Sequence, residues 1–354
     1  MISVEVRAGP RRYDVLIESG LLASAGEFVK KRLHGPRCAL ISDSNIASLF
    51  GERIKQSLLS AGFQPTPVTI PAGEQSKTLA QADAICDQMI AAGLDRQSFV
   101  IGLGGGVIGD ISGFVAAIFL RGIRHVQIPT TLLAMVDSSI GGKTAVNTRN
   151  GKNLIGAFHH PALVIDDVDV LKTLPHGEFN QGFAEIIKHA VIADAEMFTR
   201  LKDVDLENLA PLIRRNIELK SKIVANDERD RTGERALLNF GHTVGHAVER
   251  AGDYKKFLHG EAISLGMVAA CDVSMKKVGL PRDQRDAIVD LLRQFDLPTH
   301  LPSDFPREKI FDAVPYDKKF ERGKIRFVVT SGIGSAHCSS NVTLDDIREA
   351  VENL

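Results

Sequence analysis

The fold is decided by the stretch Gly102-Leu103-Gly104-Gly105-Gly106-Val107-Ile108-Gly109-Asp110, which joins a predicted buried strand to a predicted helix. Glycines at such a turn let the backbone approach a phosphate closely, and the helix N-terminus favours the negative charge. The stretch therefore predicts a nucleotide or phosphate site, although it differs from the fingerprint G-x-G-x-x-G with a distant acid. A tight turn without a ligand is the alternative, in which Asp110 only compensates the helix dipole.

Short apolar runs alternate with helical patterns on both sides of this turn. The predicted strands are 1–7, 38–41, 67–70, 98–103 and 125–129, and the predicted helices between them are 46–61 and 77–92. This order is typical of a Rossmann-like α/β domain, in which helices cover a parallel sheet. Ligands of such sheets bind outside the carboxyl ends of the strands.

The pattern becomes almost entirely helical after Pro175. Helices are predicted at 183–201, 209–224, 236–251 and 262–278, followed by a strand at 325–330 and a closing helix at 344–354. We therefore predict an α/β domain over residues 1–175, which contains the glycine turn, and a mainly α-helical domain over 176–354.

Charge and composition exclude several classes of protein. The chain has 43 Lys and Arg against 44 Asp and Glu, a net charge of −1, so nothing predicts a nucleic-acid partner. Its longest apolar stretch, 107–120, is too short to span a bilayer and contains Asp110, and residues 1–7 alternate like a strand rather than a signal peptide. The four cysteines are far apart, which fits a cytoplasmic protein without a membrane partner.

Histidines and one glutamate are the candidate metal ligands. His242 and His246 are four residues apart and share a helix face, His259 follows a loop, and Glu185 interrupts an apolar helical pattern. One carboxylate with two or three imidazoles suits a catalytic divalent ion. Spacing leaves open whether the second histidine ligand is His246 or His259, or whether the pair is ordinary helix surface. The histidines at 34, 125, 176, 300 and 337 have no such neighbours in the sequence.

Two lysines lie among glycines, Lys143 in 138–144 and Lys152 in 150–156. The first segment ends like a P-loop, but Asp137 stands where the first glycine should be, so ATP binding is disfavoured. Lysines on glycine-rich loops suit anionic substrates, and a solvated loop is the alternative.

These segments together closely resemble the 3-dehydroquinate synthase family of sugar-phosphate cyclases. The resemblance runs in order from residue 43 to residue 319. Its segments are 104–110, 121–123, 128–134, 136–144, 151–158, 184–188, 235–243, 245–247, 259–261 and 317–319.

The resemblance implies that Glu185, His242 and His259 hold a zinc or cobalt ion and that His246 faces the substrate. It also implies that NAD lies on the glycine turn. The residues implied to contact NAD are Asp43, Glu74, Gln75, Lys77, Gly105, Gly106, Val107, Gly109, Asp110, Thr130, Thr131, Lys143, Lys152 and Thr173.

The same resemblance implies a site for a sugar phosphate. The residues implied to bind it are Arg121, Asp137, Lys143, Asn153, Lys188, Lys220, Arg235, Asn239, His246 and Lys318. Among them His246, Lys188, Asn239, Arg235 and Lys220 are implied to be catalytic. Lys222 remains an alternative to Lys220, and Lys319 to Lys318. Arg121 is implied to reach towards the substrate phosphate across a homodimer.

The implied activity is the conversion of 3-deoxy-D-arabino-heptulosonate 7-phosphate to 3-dehydroquinate and phosphate, a lyase step of the shikimate pathway to chorismate and the aromatic amino acids. Transient oxidation by NAD, phosphate elimination, reduction, ring opening and an intramolecular aldol reaction would follow one another. A related sugar-phosphate cyclase is one rival reading, and a metal-dependent glycerol or alcohol dehydrogenase is another.

Overall fold

The computed structural model describes residues 1–229, 233–314, 320–321 and 324–354. The chain divides into two compact units, one of Met1–Leu174 with Asn208–Ala225 and one of Pro175–Glu207 with Asn226–Leu354. The division into domains 1–175 and 176–354 stays a prediction.

The described part of the chain contains these strands: β1 (Ile2–Ala8), β2 (Arg11–Glu18), β3 (Arg37–Asp43), β4 (Gln64–Ile70), β5 (Phe99–Gly104), β6 (Arg124–Pro129), β7 (Lys143–Thr148), β8 (Gly151–Phe158), β9 (Leu163–Asp167), β10 (Phe320–Glu321), β11 (Lys324–Ile325), β12 (Phe327–Gly332) and β13 (Ser335–Ser339).

Its α-helices are α1 (Ala25–Lys30), α2 (Ser44–Ile46), α3 (Glu52–Ser60), α4 (Leu79–Ala91), α5 (Gly106–Ile118), α6 (His176–Ala193), α7 (Ala195–Leu201), α8 (Ala210–Asn226), α9 (His242–Ala251), α10 (His259–Val278), α11 (Arg282–Gln294), α12 (Arg307–Ala313) and α13 (Leu344–Glu352). Short 3-10 or π turns occupy Leu21–Ser24, Ala47–Gly51, Glu74–Ser76, Phe119–Arg121, Ala134–Ser138, Val168–Thr173 and Arg235–Asn239. None of the described helices is long and apolar enough to cross a membrane.

The first unit is built on a seven-stranded sheet in the order β1-β2-β9-β6-β5-β3-β4. Every pairing in it is parallel except that of β1 with β2. This confirms the predicted parallel sheet. The carboxyl ends of β3, β5 and β6 therefore lie along one edge, and Asp43, Gly104 and Pro129 mark that edge.

Helices α4 and α5 cover this sheet with a continuous apolar core. Ile41 and Val100 of the strands pack in one buried cluster with Ile85 of α4 and with Ile111 and Val115 of α5. β5 is buried at every residue, as expected for a central strand with helices on both faces. The core therefore fixes the position of the glycine turn, which leads directly from β5 into α5.

Lys143 and Lys152 lie in strands rather than in loops, which corrects the sequence analysis, although residues 139–142 before Lys143 form a turn. Residues 143–158 form an antiparallel hairpin of β7 and β8, with Lys143 opposite Phe158. β8 carries the exposed side chains of Leu154, Ile155 and Phe158. β8 is exposed along most of its length, so it lacks the alternation of apolar and polar residues from which half-buried strands are predicted.

The second unit is mainly helical and is centred on α10, which packs against α6, α9, α11 and α13 and against β12. Thirteen of its 20 residues are buried, as expected of a helix that is apolar nearly all round. Gly279 ends α10 with a φ of 74°. The unit also contains the antiparallel pair β12 and β13, of which only β12 is predicted from the sequence.

Two predicted helices are each interrupted in the structure. The helix predicted at 183–201 is broken at Asp194, whose φ and ψ of −151° and 83° are not helical and whose side chain caps α7 by accepting from the Met197 N–H. The helix predicted at 236–251 begins only at His242. A 3-10 turn precedes it, and Gly241 has a left-handed φ of 77°.

Candidate active site

Three elements of the second unit bring two histidines and a glutamate together. Glu185 lies in the middle of α6, whereas His242 and His259 are the first residues of α9 and α10. The Oε1 atom of Glu185 is 3.5 Å from His242 Nε2 and 3.7 Å from His259 Nε2. One potential ligand atom from each residue lies within 4.8 Å of the other two.

Glycines let α9 and α10 approach each other closely enough to form this cluster. A Cβ atom on Gly266 would lie 1.9 Å from the Gly241 carbonyl oxygen, and one on Gly241 would lie 2.8 Å from the Met267 nitrogen. Because Gly241 has a φ of 77°, a side chain there would also strain the backbone. The sequence around Gly241 therefore sets both the start of α9 and its distance from α10.

The start of α10 is held against α6 in a similar way. A Cβ atom on Gly260 would lie 2.6 Å from the Cα of Gln181, and the Gln181 side-chain oxygen accepts from the Gly260 N–H at 3.2 Å. This contact places His259 beside Glu185, which is four residues along α6 from Gln181.

The donor atoms fit a divalent ion. Two ligands bound to zinc at about 2.1 Å with a tetrahedral angle lie about 3.4 Å apart, close to the separations seen here. The Oε1 atom of Glu185 is buried and has no hydrogen-bond partner among the described residues. His242 Nδ1 lies 3.2 Å from the Phe240 carbonyl oxygen, which leaves its Nε2 directed at Glu185. Such a buried, acceptor-only oxygen facing two imidazole nitrogens is the donor set that zinc or cobalt prefers.

Charged neighbours keep Glu185 ionised. Burial alone would raise the pKa of its carboxyl, but the ammonium group of Lys188, which donates to its Oε2, and the imidazole of His259 hold the pKa well below the usual range. Burial lowers the pKa of His259, but the Glu185 and Glu249 carboxylates beside it outweigh burial and raise the pKa to about 10. The cluster therefore attracts a positive charge, whether a proton or a metal ion.

His246 lies beside this cluster without being part of it. Its ring centroid is 5.2 Å from that of His242 and 6.3 Å from that of His259. His242 and His259 form a close group of potential ligand atoms with Glu185, and His246 belongs to no such group among the described residues. The imidazole of His246 is exposed, so it is accessible to a substrate.

The other predicted substrate residues of this unit are placed as follows. Arg235 is buried, and its guanidinium donates to the Glu228 carbonyl oxygen at 2.7 Å while its N–H donates to Asp227. Asn239 ends the 3-10 turn before Gly241 and is half-buried. Lys188 is buried beside Glu185. Lys318 and its alternative Lys319 lie outside the described residues.

In the first unit, the glycine turn presents the N-terminus of α5. Gly105 caps this 13-residue helix, which begins at Gly106. A Cβ atom on Gly105 would lie 3.1 Å from the Thr131 methyl group, and one on Gly106 would lie 3.3 Å from the Ser138 hydroxyl. Glycine at both positions avoids these contacts and adds no side chain of its own at the helix N-terminus, where N–H groups can bind a phosphate.

Asp110 stands one turn into α5 and pairs with Lys77 at 2.5 Å. Burial raises the pKa of Asp110, and the Lys77 ammonium acts against that rise. Glu74 accepts from the Asn147 side chain at 2.7 Å and lies 3.9 Å from the Lys77 ammonium. Two carboxylates, Glu74 and Asp110, thus lie near one buried ammonium, that of Lys77, beside the glycine turn.

The other predicted NAD residues of the first unit are spread around the strand ends. Asp43 ends β3 and caps α2 by accepting from Asn45 and Ile46 N–H groups at 2.9 and 3.0 Å. Thr130 and Thr131 follow β6, and the Thr131 hydroxyl accepts from Ala134. Val107 and Gly109 belong to α5, and Gln75, which is exposed, follows Glu74. Thr173 is exposed and donates to the Val170 carbonyl oxygen.

Two predicted substrate residues of this unit are paired. The Lys220 ammonium on α8 donates to Asp137 at its carboxylate, 2.6 Å, and at its carbonyl oxygen, 2.7 Å. Lys220 is buried, whereas Lys222 is exposed, so burial and pairing favour Lys220. Lys143, Lys152 and Asn153 belong to the β7–β8 hairpin, with Asn153 at a left-handed φ of 56°.

Arg121 lies on an unusual backbone. It is exposed and has a φ of 71°, and Leu120 before it has a φ of 48°. Non-glycine residues in this region are uncommon and cluster at functional sites.

The sequence analysis did not identify Glu249, a carboxylate next to the cluster of Glu185, His242 and His259. It lies on α9 with 4% of its surface exposed, and its Oε2 is 3.5 Å from His259 Nδ1. The signal was present, because positions 242, 246 and 249 fall at intervals of four and three residues on one helix face.

Models of one protein family match most of the chain. The N-terminal model of 3-dehydroquinate synthase matches residues 67–181, and the C-terminal model matches residues 182–320.

Individual relatives match over nearly the full length. The 3-dehydroquinate synthase of Thermodesulfovibrio yellowstonii is 42% identical over 99% of this chain and 99% of its own. That of Pelobacter propionicus is 43% identical over 94% of each chain. Among solved structures, the 2-epi-5-epi-valiolone synthase ValA from Streptomyces hygroscopicus subsp. jinggangensis, with NAD+ and Zn2+ bound, has a TM-score of 0.88 and 28% identity, and it covers 100% of this chain and 98% of its own.

Proposed function

The chain belongs to the 3-dehydroquinate synthase family, and from this premise we propose that it converts 3-deoxy-D-arabino-heptulosonate 7-phosphate to 3-dehydroquinate and phosphate. It is therefore an enzyme of the lyase type, and its step belongs to the shikimate pathway.

The proposal rests most directly on one observation, the buried Glu185 Oε1 atom that faces the Nε2 atoms of His242 and His259. These three residues would hold zinc or cobalt, the former being the ion in the ValA structure. When bound, such an ion supplies a Lewis acid that makes a substrate hydroxyl easier to deprotonate. Lys188 keeps the Glu185 carboxylate ionised, and the Phe240 carbonyl orients His242.

The glycine turn would hold NAD, which is also present in the ValA structure. When bound, NAD supplies the group that accepts a hydride and later returns it. The free N–H groups at the start of α5 would bind the pyrophosphate through Gly105, Gly106 and Val107. The Lys77 ammonium keeps Asp110 available as a hydrogen-bond acceptor beside it.

Buried cations would bind the substrate, which carries a carboxylate and a phosphate. Lys188, Lys220 and Arg235 are each at most 5% exposed, and each is held by an acidic side chain or a backbone carbonyl oxygen. Pairing keeps these groups in place, so little conformational entropy is lost when an anion binds. Arg121, Asp137, Lys143, Lys152, Asn153, Asn239 and Lys318 would complete the contacts.

His246 would move the protons. Its exposed imidazole lies beside His242, and imidazole is the side chain that most often transfers protons in catalysis. It would take the proton from the substrate hydroxyl before hydride transfer. We also propose that the protein is cytoplasmic, which the free state of all four cysteines supports. A homodimer is proposed from the resemblance to the family.

A phosphate-release assay tests the proposal. The protein loaded with NAD and zinc should release phosphate from the heptulosonate phosphate without accumulating NADH. No phosphate release from protein shown to bind both would contradict it.

The same assay separates the rivals. A related cyclase would act on a sugar phosphate that lacks the carboxylate, and a glycerol or alcohol dehydrogenase would accumulate NADH with a simple alcohol. The proposal predicts that neither substrate supports turnover.

A further inference from the structure

Glu249 is a buried carboxylate beside a proposed metal ligand. It belongs to α9, whereas the ligand that it approaches, His259, begins α10. Its Oε2 lies 3.5 Å from His259 Nδ1, on the side of the ring opposite the Nε2 atom that faces Glu185. The imidazole of His259 therefore lies between two carboxylates.

We propose that Glu249 is a positioning residue, which orients His259 and fixes the tautomer whose Nε2 lone pair is free to bind the metal. The inference rests on the proposed metal site. Glu249 acts by accepting the Nδ1–H of the ring, so it binds neither metal nor substrate itself.

The two histidines of the cluster are oriented by different kinds of acceptor. His242 has its Nδ1 beside a backbone carbonyl, that of Phe240, which is fixed by the turn before α9. His259 also begins its helix and is 32% exposed at its side chain, but the acceptor beside its Nδ1 atom is the Glu249 carboxylate at 3.5 Å. A carboxylate on the neighbouring helix replaces that carbonyl, and it also makes the ring a stronger electron donor.

The burial of Glu249 supports this role over an ordinary surface charge. Only 4% of its surface is exposed, and a buried carboxylate is costly unless it is paired or hydrogen-bonded. Closing the separation to His259 Nδ1 from 3.5 Å to hydrogen-bond range needs a shift of about 0.5 Å. Such a movement is small for a ring at the first turn of a helix.

Cobalt titration of the full-length apo-protein tests the inference. Co2+ is titrated in competition with a chelator, and its visible absorption reports the ligand geometry. We expect Glu249→Gln to weaken Co2+ affinity by about 10- to 100-fold and to shift the absorption bands. Glu196→Gln, the same change at an exposed residue of α7, should leave both unchanged.

A double-mutant cycle separates positioning from a general effect on folding. If Glu249 acts through His259, then Glu249→Gln should change the residual Co2+ affinity of His259→Ala by less than about two-fold. Glu249→Asp retains the charge but withdraws the carboxylate, so we expect an intermediate loss. It also provides a folded variant should Glu249→Gln not fold.

The outcomes distinguish this inference from the proposed metal site. Unchanged Co2+ affinity in Glu249→Gln, or equal losses with and without His259, would overturn the role of Glu249 while leaving the site intact. If the unmodified protein bound no Co2+, or if His242→Ala bound it equally well, the proposed metal site would itself be wrong, and the inference would fail with it.

Discussion

The glycine turn and the proposed metal site of Glu185, His242 and His259 are built in opposite ways. The turn is one continuous stretch, 104–110, in which backbone N–H groups at the start of α5 face outward and few side chains take part. The cluster needs three helices, and its ligand atoms come from side chains, the buried Glu185 and the partly exposed His242 and His259. A site made of backbone depends on local conformation, whereas a site made of side chains depends on how helices pack.

The two regions also differ in how they manage charge. The turn relies on a helix dipole and on the Lys77 ammonium, which pairs with Asp110 and lies 3.9 Å from Glu74. In the cluster Glu185 pairs with Lys188 and lies 3.7 Å from His259, which in turn lies 3.5 Å from Glu249, and both Glu185 and Lys188 are almost fully buried. The variants below test this contrast.

Removal of a ligand should have the largest effect. His259→Ala leaves two of the three proposed ligand side chains. Loss of a residue that only orients a ligand lowers metal affinity by up to about 100-fold, so we expect a larger fall here and no activity. Metal content after dialysis measures this directly. His246→Ala should retain its metal and lose only activity, and loss of metal from both variants would show that the ligands are assigned wrongly.

Closing the gap between α9 and α10 should be the next most damaging change. Gly241→Ala adds a Cβ atom 2.8 Å from the Met267 nitrogen at a φ of 77°. We expect the unfolding free energy to fall by about 1–3 kcal/mol because of the left-handed backbone, and by about a further 1–3 kcal/mol because of overpacking.

Gly279→Ala is the matched control for Gly241→Ala, because its φ is 74° and nothing lies within 4 Å of the added Cβ. Denaturant unfolding of both variants should therefore show a smaller loss for Gly279→Ala. Equal losses would mean that helix packing does not set the geometry of the cluster.

The charge pair beside the glycine turn should have a moderate effect. Lys77→Met leaves Asp110, which is 18% exposed at its side chain, without its ammonium partner, so we expect a loss of about 2–3 kcal/mol in unfolding free energy and weaker NAD binding. Lys55→Met removes an exposed ammonium from its 3.4 Å pair with Glu52 and should change stability by no more than about 1 kcal/mol. If the two variants were equally stable, the Lys77 pair would contribute no more than a surface pair.

The smallest predicted effect concerns a histidine away from both sites. His125 on β6 is fully buried, its ring stacks on His159 with centroids 5.0 Å apart, and neither ring nitrogen has a hydrogen-bond partner among the described residues. Burial, and then the neighbouring charges of His159, His160 and Arg124, lower its pKa well below the ordinary value of 6.5. The unfolded chain therefore binds a proton near pH 6.5 that the folded chain does not.

Stability from His125 is accordingly present above that pH and is lost as the pH falls, by at most about 1.4 kcal/mol per pH unit. His125→Phe should flatten the dependence of unfolding free energy on pH, whereas His34→Phe, at an exposed position, should not. An unchanged slope in His125→Phe would contradict the lowered pKa.

The contrast between the two regions also explains what could be predicted from sequence. The parallel sheet and the glycine turn follow from local patterns, since strand, turn and helix are neighbours in the chain. The β7–β8 hairpin was missed because β8 is exposed along most of its length. The break before α9 was missed because a glycine in the sequence does not by itself end a helix. It is the left-handed φ of Gly241 in the structure that separates the 3-10 turn from α9.

For the metal cluster, local patterns supplied candidates but not the choice among them. His242 and His246 share a helix face, so spacing alone favoured them equally with His242 and His259. The packing of Gly260 on Gln181 brings His259 to Glu185. These residues are far apart in the sequence, so no local pattern could show that they meet. Glu249 was overlooked for the same reason, since its partner lies on another helix.

Anomalous diffraction at the zinc edge, from crystals of the zinc-loaded protein, tests the metal assignment most directly. We predict one strong peak in the second unit, about 2.0–2.2 Å from Glu185 Oε1, His242 Nε2 and His259 Nε2. A peak bound through His246 instead of His259, or no peak near Glu185 in protein that retains its zinc, would contradict the account.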